Sequence, residues 1–282
     1  MKMRQLIFSG SAGVILSLLA GPALADCSSL PGWSALKTAL TSSITATSGA
    51  NGGLGFNMWG AIVANDGRVC AVAFTGANYT SQFLGSRVIS AQKANTANDF
   101  SLGHGSTPAL SLFPTGLALS TANLYSAVQP GGSLYGLQAS NPVDTSVAYA
   151  NSQREGEGED AAGAGSFGTN NDPMVGLRIG GVNVFGGGLA LYRGGVKVGA
   201  VGVSGDTSCT DHMVAWRVRN SLHLDQFQGV GGVSGDAARP DNIIFDIAPN
   251  PSGDAGVAPS PGGFGHPKCL NSPDPSVLPA VQ

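Results

Sequence analysis

Gly186-Gly187-Gly188-Leu189-Ala190-Leu191-Tyr192-Arg193-Gly194-Gly195-Val196-Lys197-Val198-Gly199-Ala200-Val201-Gly202-Val203-Ser204-Gly205 is the stretch on which the reading of this chain turns. Two apolar, strand-like runs flank Gly194-Gly195, a dipeptide that tolerates the positive φ angles of a tight turn, so the stretch reads as a β-hairpin. The glycines at 186–188 break the chain before it. Ser204-Gly205-Asp206-Thr207-Ser208 then opens a helix in which Met213, Trp216, Val218 and Leu222 recur at helical spacing. Asp206 or Ser208 suits its N-cap, because a side-chain oxygen there accepts from free amides of the first turn.

Upstream, residues 56–64 and 69–75 form a second hairpin across Asn65-Asp66-Gly67-Arg68. Trp33, Leu36, Ala39, Leu40 and Ile44 place a helix before it, started by Pro31-Gly32. Residues 81–100 and 117–128 read as two further helices, the second stopped at Gln129-Pro130-Gly131-Gly132. Residues 175–185 read as a strand leading into the glycine break. The order is helix, two strands, two helices, three strands, helix. Hairpin connections make the sheet antiparallel, so the expectation is an α+β domain with a sheet of about five strands packed against helices. A Pro- and Gly-rich extension follows over residues 229–282, with one strand-like run at 242–247.

The N-terminus has three parts: a basic start (Lys2, Arg4), an apolar run over residues 6–19, and Ala23-Leu24-Ala25 as a small-x-small cleavage site. Residues 1–25 therefore read as a secretory signal peptide, giving a periplasmic or secreted protein with no membrane span after cleavage. A lipobox needs a small residue before Cys27, and Asp26 stands there. The expected domain is 26–228, with loop insertions at 102–115 and 151–172. With 43 Gly and only 11% charged residues, the chain still carries 42% apolar residues, enough for a core. A formal net charge of −3 without Lys/Arg clusters excludes nucleic acid as a partner. The acidic run 155–160 reads as a solvated loop.

Four cysteines, Cys27, Cys70, Cys209 and Cys269, suit two disulfides in an oxidising compartment. Cys209-Thr210-Asp211-His212 and His266-Pro267-Lys268-Cys269 mirror one another, and two Cys with two His can hold tetrahedral zinc. The simpler alternative joins Cys209 to Cys269, clipping the tail to the last helix, and leaves Cys27 with Cys70. His212 and His266 remain candidate metal or haem ligands, against a plain hydrogen-bonded role.

In chain order, Ala71-Val72-Ala73-Phe74, Lys93-Ala94-Asn95-Thr96-Ala97, Leu134-Tyr135-Gly136-Leu137, the run 186–193 and the run 199–205 resemble the GlcG/HbpS family of small haem-binding proteins. The resemblance spans residues 33–224 and leaves out the tail. It implies an α+β fold, a homo-oligomer and haem. The family's Lys-Ala-x-Thr motif places the iron at its threonine, here Thr96. Lys93 lies one helical turn earlier, able to pair with a propionate.

Ser204-Gly205-Asp206 lies between a strand and a helix, so amides at Ser204 and Gly205 can receive a carboxylate, with a helix cap as the alternative. No nucleophile motif is present: Asp206 stands where a Gly-x-Ser-x-Gly elbow needs glycine. Ser204, Asp211 and His212 do not make a triad, because neighbours on one helix point in different directions. No catalytic residue is assigned. The expected function is a periplasmic haem- or tetrapyrrole-binding protein in haem sensing, storage or turnover. The alternatives are an accessory protein of a periplasmic oxidoreductase and an enzyme acting on a small organic acid.

Overall fold

The computed structural model describes residues 26–45, 50–149, 164–247 and 260–282. The expected signal peptide and the acidic run lie outside the described residues. The elements are α1 (Trp33–Thr45), β1 (Trp59–Ala64), β2 (Val69–Phe74), α2 (Ser86–Asp99), β3 (Leu117–Ala118), α3 (Leu124–Ala127), α4 (Leu137–Ser140), α5 (Thr145–Ala148), β4 (Gly188–Arg193), β5 (Val196–Ser204), α6 (Ser208–Ser221) and β6 (Gly231–Gly232). The fold is α+β. Its main sheet has the order β2-β1-β5-β4 and every pairing is antiparallel.

Both hairpins form where the turn residues place them. Gly67 has φ 79°, and Gly194 and Gly195 have φ 60° and 76°, values that side chains with a Cβ rarely adopt. Strand alternation then divides the core. Ile62, Ala64, Leu189, Leu191, Val201 and Val203 face α1 and α6, where Leu36, Leu40, Met213 and Trp216 meet them. Trp59, Ala61, Val63 and Ala200 face α2, against Val88, Ala91, Ala94 and Ala97. The sheet is therefore buried on both sides, with α2 alone of the long helices on the second face.

α2 lies very close to the sheet because the strands beneath it carry glycine. A Cβ at Gly202 would stand 1.9 Å from the Ser90 carbonyl oxygen, and one at Gly188 2.3 Å from the Lys93 carbonyl oxygen. No side chain fits at either position.

Several expectations change. Residues 175–185 are not a strand, so the sheet has four strands rather than five. Gly176, Gly180 and Gly181 take φ of 88°, 61° and 78°, which turns the backbone away from a ladder. The segment instead runs along the outer side of β2, where Val69 N–H donates to the Leu177 carbonyl at 2.8 Å. Residues 117–128 are not one helix: β3 pairs in parallel with β6, and Ser120 N–H donates to Asn123 Oδ1 at 3.0 Å, a local bond that competes with helix formation before α3. The helix at 81–100 starts later, at Ser86. Residues 242–247 do not form a strand, although the Ile244 carbonyl accepts from His266 N–H at 2.8 Å.

The disulfides are Cys27–Cys70 and Cys209–Cys269, with Cα separations of 5.1 and 6.0 Å. The described part of the tail wraps α6. Trp216 Nε1 donates to the Pro279 carbonyl at 3.0 Å, and the fully buried Arg219 makes a two-pronged contact with Asp241 at 2.6 and 2.9 Å. On the other outer strand, Tyr192 N–H donates to the Leu224 carbonyl at 2.8 Å, giving a parallel bridge between Tyr192 and Asp225. Among the described residues no helix is long and apolar enough to cross a membrane.

Candidate functional site

The residues singled out in the sequence gather where α2, the end of β5 and the start of α6 converge. Lys93, on α2, is 2% exposed. Its Nζ donates to Asp211 Oδ2 at 2.8 Å and to the Val203 carbonyl at 3.3 Å. Asp211 sits in the first turn of α6, where the helix dipole favours a negative charge. Its second oxygen accepts from Asp206 N–H at 3.0 Å. Burial pushes the Asp211 carboxyl up to about 6, against the pull of the Lys93 ammonium. Nothing in the linear sequence pairs these two residues, which stand 118 positions apart.

Thr96 lies one turn along α2 and is fully buried. Its hydroxyl donates to the Gln92 carbonyl at 2.8 Å and accepts from Asn183 N–H at 2.9 Å. The adjoining glycine loop is held by Thr121, whose hydroxyl donates to the Phe185 carbonyl at 2.6 Å and accepts from Gly188 N–H at 2.8 Å.

The interior around Lys93 and Thr96 does not fit haem. A single Cβ at Gly187 would already lie 3.2 Å from Lys93 Nζ, and one at Gly188 would collide with the α2 backbone. A site without room for a methyl group has none for a porphyrin. Lys93 and Thr96 lie on one helix as expected, but their polar atoms are occupied by the protein itself.

Ser204 and Gly205 are also enclosed. Ser204 Oγ donates to Ser86 Oγ at 3.2 Å, and the Asp206 amide is taken by Asp211. The Asp206 carboxylate accepts from the amides of Leu54 and Phe56 at 2.9 and 3.0 Å. The N-cap of α6 is neither Asp206 nor Ser208 but Thr207 between them, whose side chain accepts from Thr210 N–H. The turn thus acts as a helix start and a staple to the 54–56 segment.

His212 and His266 occupy different surroundings. His212 is fully buried, with Nε2 at 3.1 Å from Asn242 Oδ1 and Nδ1 without a hydrogen-bond partner among the described residues. Burial brings its imidazole down to about 4, and does the same for His266. His266 packs on the Tyr125 ring at 5.1 Å, with Nδ1 2.7 Å from the Pro267 carbonyl and Nε2 3.1 Å from Ser208 Oγ. It adjoins the Cys209–Cys269 bond, and one ring nitrogen and the two sulfurs all lie within 4.8 Å of one another. His212 is not part of that group, and the sulfurs are bonded to each other, so the four-ligand zinc arrangement does not form.

A family model described as "Haem degrading protein HbpS-like" matches residues 38–219. No curated protein matches the chain. Among solved structures, the chain is similar to Klebsiella pneumoniae protein ORFY at 22% identity, covering 68% of this chain and 90% of that one with a TM-score of 0.39. It is similar to the protein of a PduOC–haem complex at 20% identity, covering 67% and 89% with a TM-score of 0.40. It is also similar to HbpS at 13% identity, covering 68% of this chain and 89% of that one with a TM-score of 0.36.

Proposed function

The chain belongs to the HbpS-like family of haem-degrading proteins, and from that premise we propose that it is a periplasmic protein that binds haem or a related tetrapyrrole, in haem sensing, storage or turnover. The observation that carries this reading is the extent of the family match, which takes in the whole four-stranded sheet, α2, and α6 as far as Arg219. Haem is the ligand class the family brings. Because the interior at Lys93 and Thr96 is filled, the ligand in this reading meets the protomer from outside, in a homo-oligomer. The surface at Phe56 and Phe83 suits one face of a porphyrin. Their rings meet edge to face at 5.4 Å, and both line an open cavity of about 340 Å³.

Haem titration of the mature protein tests the reading, followed by the Soret band and by light scattering. Saturable binding is expected in wild type and in Thr96→Ala, with affinity lowered roughly tenfold in Phe83→Ala, the cost of about 1.4 kcal/mol of lost contact. Absence of a Soret shift in wild type refutes the reading. Its loss in a folded Thr96→Ala variant returns the iron to Thr96.

The closed interior favours one further reading, an accessory protein of a periplasmic oxidoreductase that carries no cofactor itself. Co-purification of a redox partner with haem-free protein supports it.

A further inference from the structure

The two disulfides sit in different chemical company. Around Cys27–Cys70 the sulfurs approach backbone carbonyls, those of Val69 at 3.9 Å and Arg68 at 3.5 Å. Around Cys209–Cys269 stand an imidazole, two hydroxyls and a helix amide, besides the Pro267 carbonyl 3.7 Å from Cys209 Sγ. Cys209 N–H, in the first turn of α6, donates to Cys269 Sγ at 3.2 Å, Ser208 Oγ lies 3.5 Å from the same sulfur, and Ser272 Oγ lies 3.9 Å from Cys209 Sγ. Such donors stabilise thiolate over thiol. Among the described residues, Cys209, His266 and Cys269 are the one group of three metal-ligating side chains brought together in this way.

We propose that Cys209, His266 and Cys269 form a three-ligand site for a thiophilic cation of the zinc class, masked while the disulfide is closed and available once it is reduced. The imidazole is set up for the task. Its Nδ1 lies 4.0 Å from Cys209 Sγ and 2.7 Å from the Pro267 carbonyl, and its Nε2 lies 3.1 Å from Ser208 Oγ. A ligating histidine is usually held through its other nitrogen, and the Pro267 carbonyl and the Ser208 hydroxyl flank this ring for either choice. Two thiolates and an imidazole, with no carboxylate, select a soft ion over magnesium or calcium.

Opening the bond leaves the ligands in place. His266 N–H donates to the Ile244 carbonyl at 2.8 Å, and Ser126 N–H to the Gly265 carbonyl at 3.2 Å. Beyond Cys269, Gly53 N–H donates to the Asn271 carbonyl at 2.9 Å and Asn271 Nδ2 returns a bond to the Gly53 carbonyl at 2.9 Å. The Cys269 loop is thus anchored on both sides without the disulfide. Tetrahedral zinc places two sulfurs about 3.7 Å apart, within reach of side-chain rotation once the bond is cut.

The chemistry balances with a dithiol reductant. Its thiolate attacks Cys269 Sγ, the half-buried sulfur, while Cys209 is fully buried. The Sγ–Sγ bond breaks and Cys209 leaves as thiolate. The reductant's second thiol then resolves the mixed disulfide. The reductant ends as a cyclic disulfide, oxidised by two electrons, and the protein holds two reduced sulfurs. Metal binding releases any remaining thiol proton to water and leaves the ion's oxidation state unchanged.

The test uses the full chain, reduced anaerobically with a phosphine, freed of reductant and titrated with Co²⁺ as the coloured stand-in for Zn²⁺. The expected result is one equivalent bound with a sulfur-to-cobalt charge-transfer band and tetrahedral visible bands, displaced by Zn²⁺, and no such bands in the oxidised protein. His266→Ala weakens binding by at least roughly tenfold. Zinc protects Cys209 and Cys269 from alkylation, mapped by peptide, while Cys27 and Cys70 react. The proposal is overturned by reduced wild type without a charge-transfer band, by protection that falls on Cys27 and Cys70, by unchanged affinity in His266→Ala, or by loss of the native circular dichroism on reduction alone. Should His266→Ala misfold, the alkylation map of wild type decides. None of these outcomes depends on haem.

Discussion

Lys93 Nζ and Asp211 Oδ2, 2.8 Å apart and both shut away from water, join α2 on one side of the sheet to α6 on the other. Each charge is tolerated only because the other is there. Lys93→Met or Asp211→Asn alone is therefore expected to lower unfolding free energy by about 3–5 kcal/mol. Lys93→Met combined with Asp211→Leu should recover most of that loss, since an apolar pair no longer carries a desolvated charge. Urea denaturation of the three variants checks this. Equal losses in the single and double variants refute the account.

His212 gives a pH dependence of defined sign. Its imidazole titrates at about 4 in the fold and at about 6.5 when unfolded, so the unfolded chain binds the extra proton between those values. Its contribution is complete above 6.5 and is lost as pH falls toward 4. Asp211 acts in the opposite direction below about 6, because its folded carboxyl takes up a proton more readily than the unfolded one. The difference between wild type and His212→Gln isolates the histidine. Wild type should lose about 1.4 kcal/mol more per pH unit across the middle of that window. Parallel stability curves for the two proteins are the contrary result.

Glycine positions separate packing from chain entropy. Gly202→Ala drives a methyl into the α2 backbone and should abolish folding or lower stability by about 3 kcal/mol or more. Gly85, the N-cap of α2, already has φ −60° and ψ −26°, and its Cβ position is open. Gly85→Ala should instead raise stability by about 0.4–1 kcal/mol. Thermal melts of the two variants shifting in opposite directions confirm the assignment.

The tail is held by more than its disulfide. Asp241→Asn leaves Arg219 charged and enclosed between Trp216 and Phe227, whose rings lie 4.4 and 4.9 Å from its guanidinium carbon. A loss of about 3 kcal/mol is expected. Limited proteolysis should cut the variant's tail faster than that of wild type, with the Cys269 fragment still attached on a non-reducing gel. Unchanged cleavage argues that Asp241 is not an anchor.

Local chemistry made much of this fold legible. Asn65-Asp66-Gly67 and Gly194-Gly195 mark hairpins because few residues accept their backbone angles, and the apolar spacing of α1 and α6 marks their buried faces. Residues 175–185 carry the alternation of a strand, yet glycines at 176, 180 and 181 break it, and composition alone does not say which signal prevails. The chemistry around Lys93 was less legible. Its motif identifies the lysine and Thr96, but whether a lysine on α2 meets a ligand or a partner 118 residues away depends on how closely α2 approaches the sheet. The glycines at 188 and 202 that permit this approach belong to other elements.

Both outer strands of the sheet meet the protein's own backbone, β2 through Leu177 and β4 through Leu224. A neighbouring molecule therefore finds those two strands already engaged at Val69 and Tyr192. Growth by strand addition, the route by which open sheets run on into fibrils, is blunted there. Copies of this chain that associate are steered away from backbone pairing at those two positions.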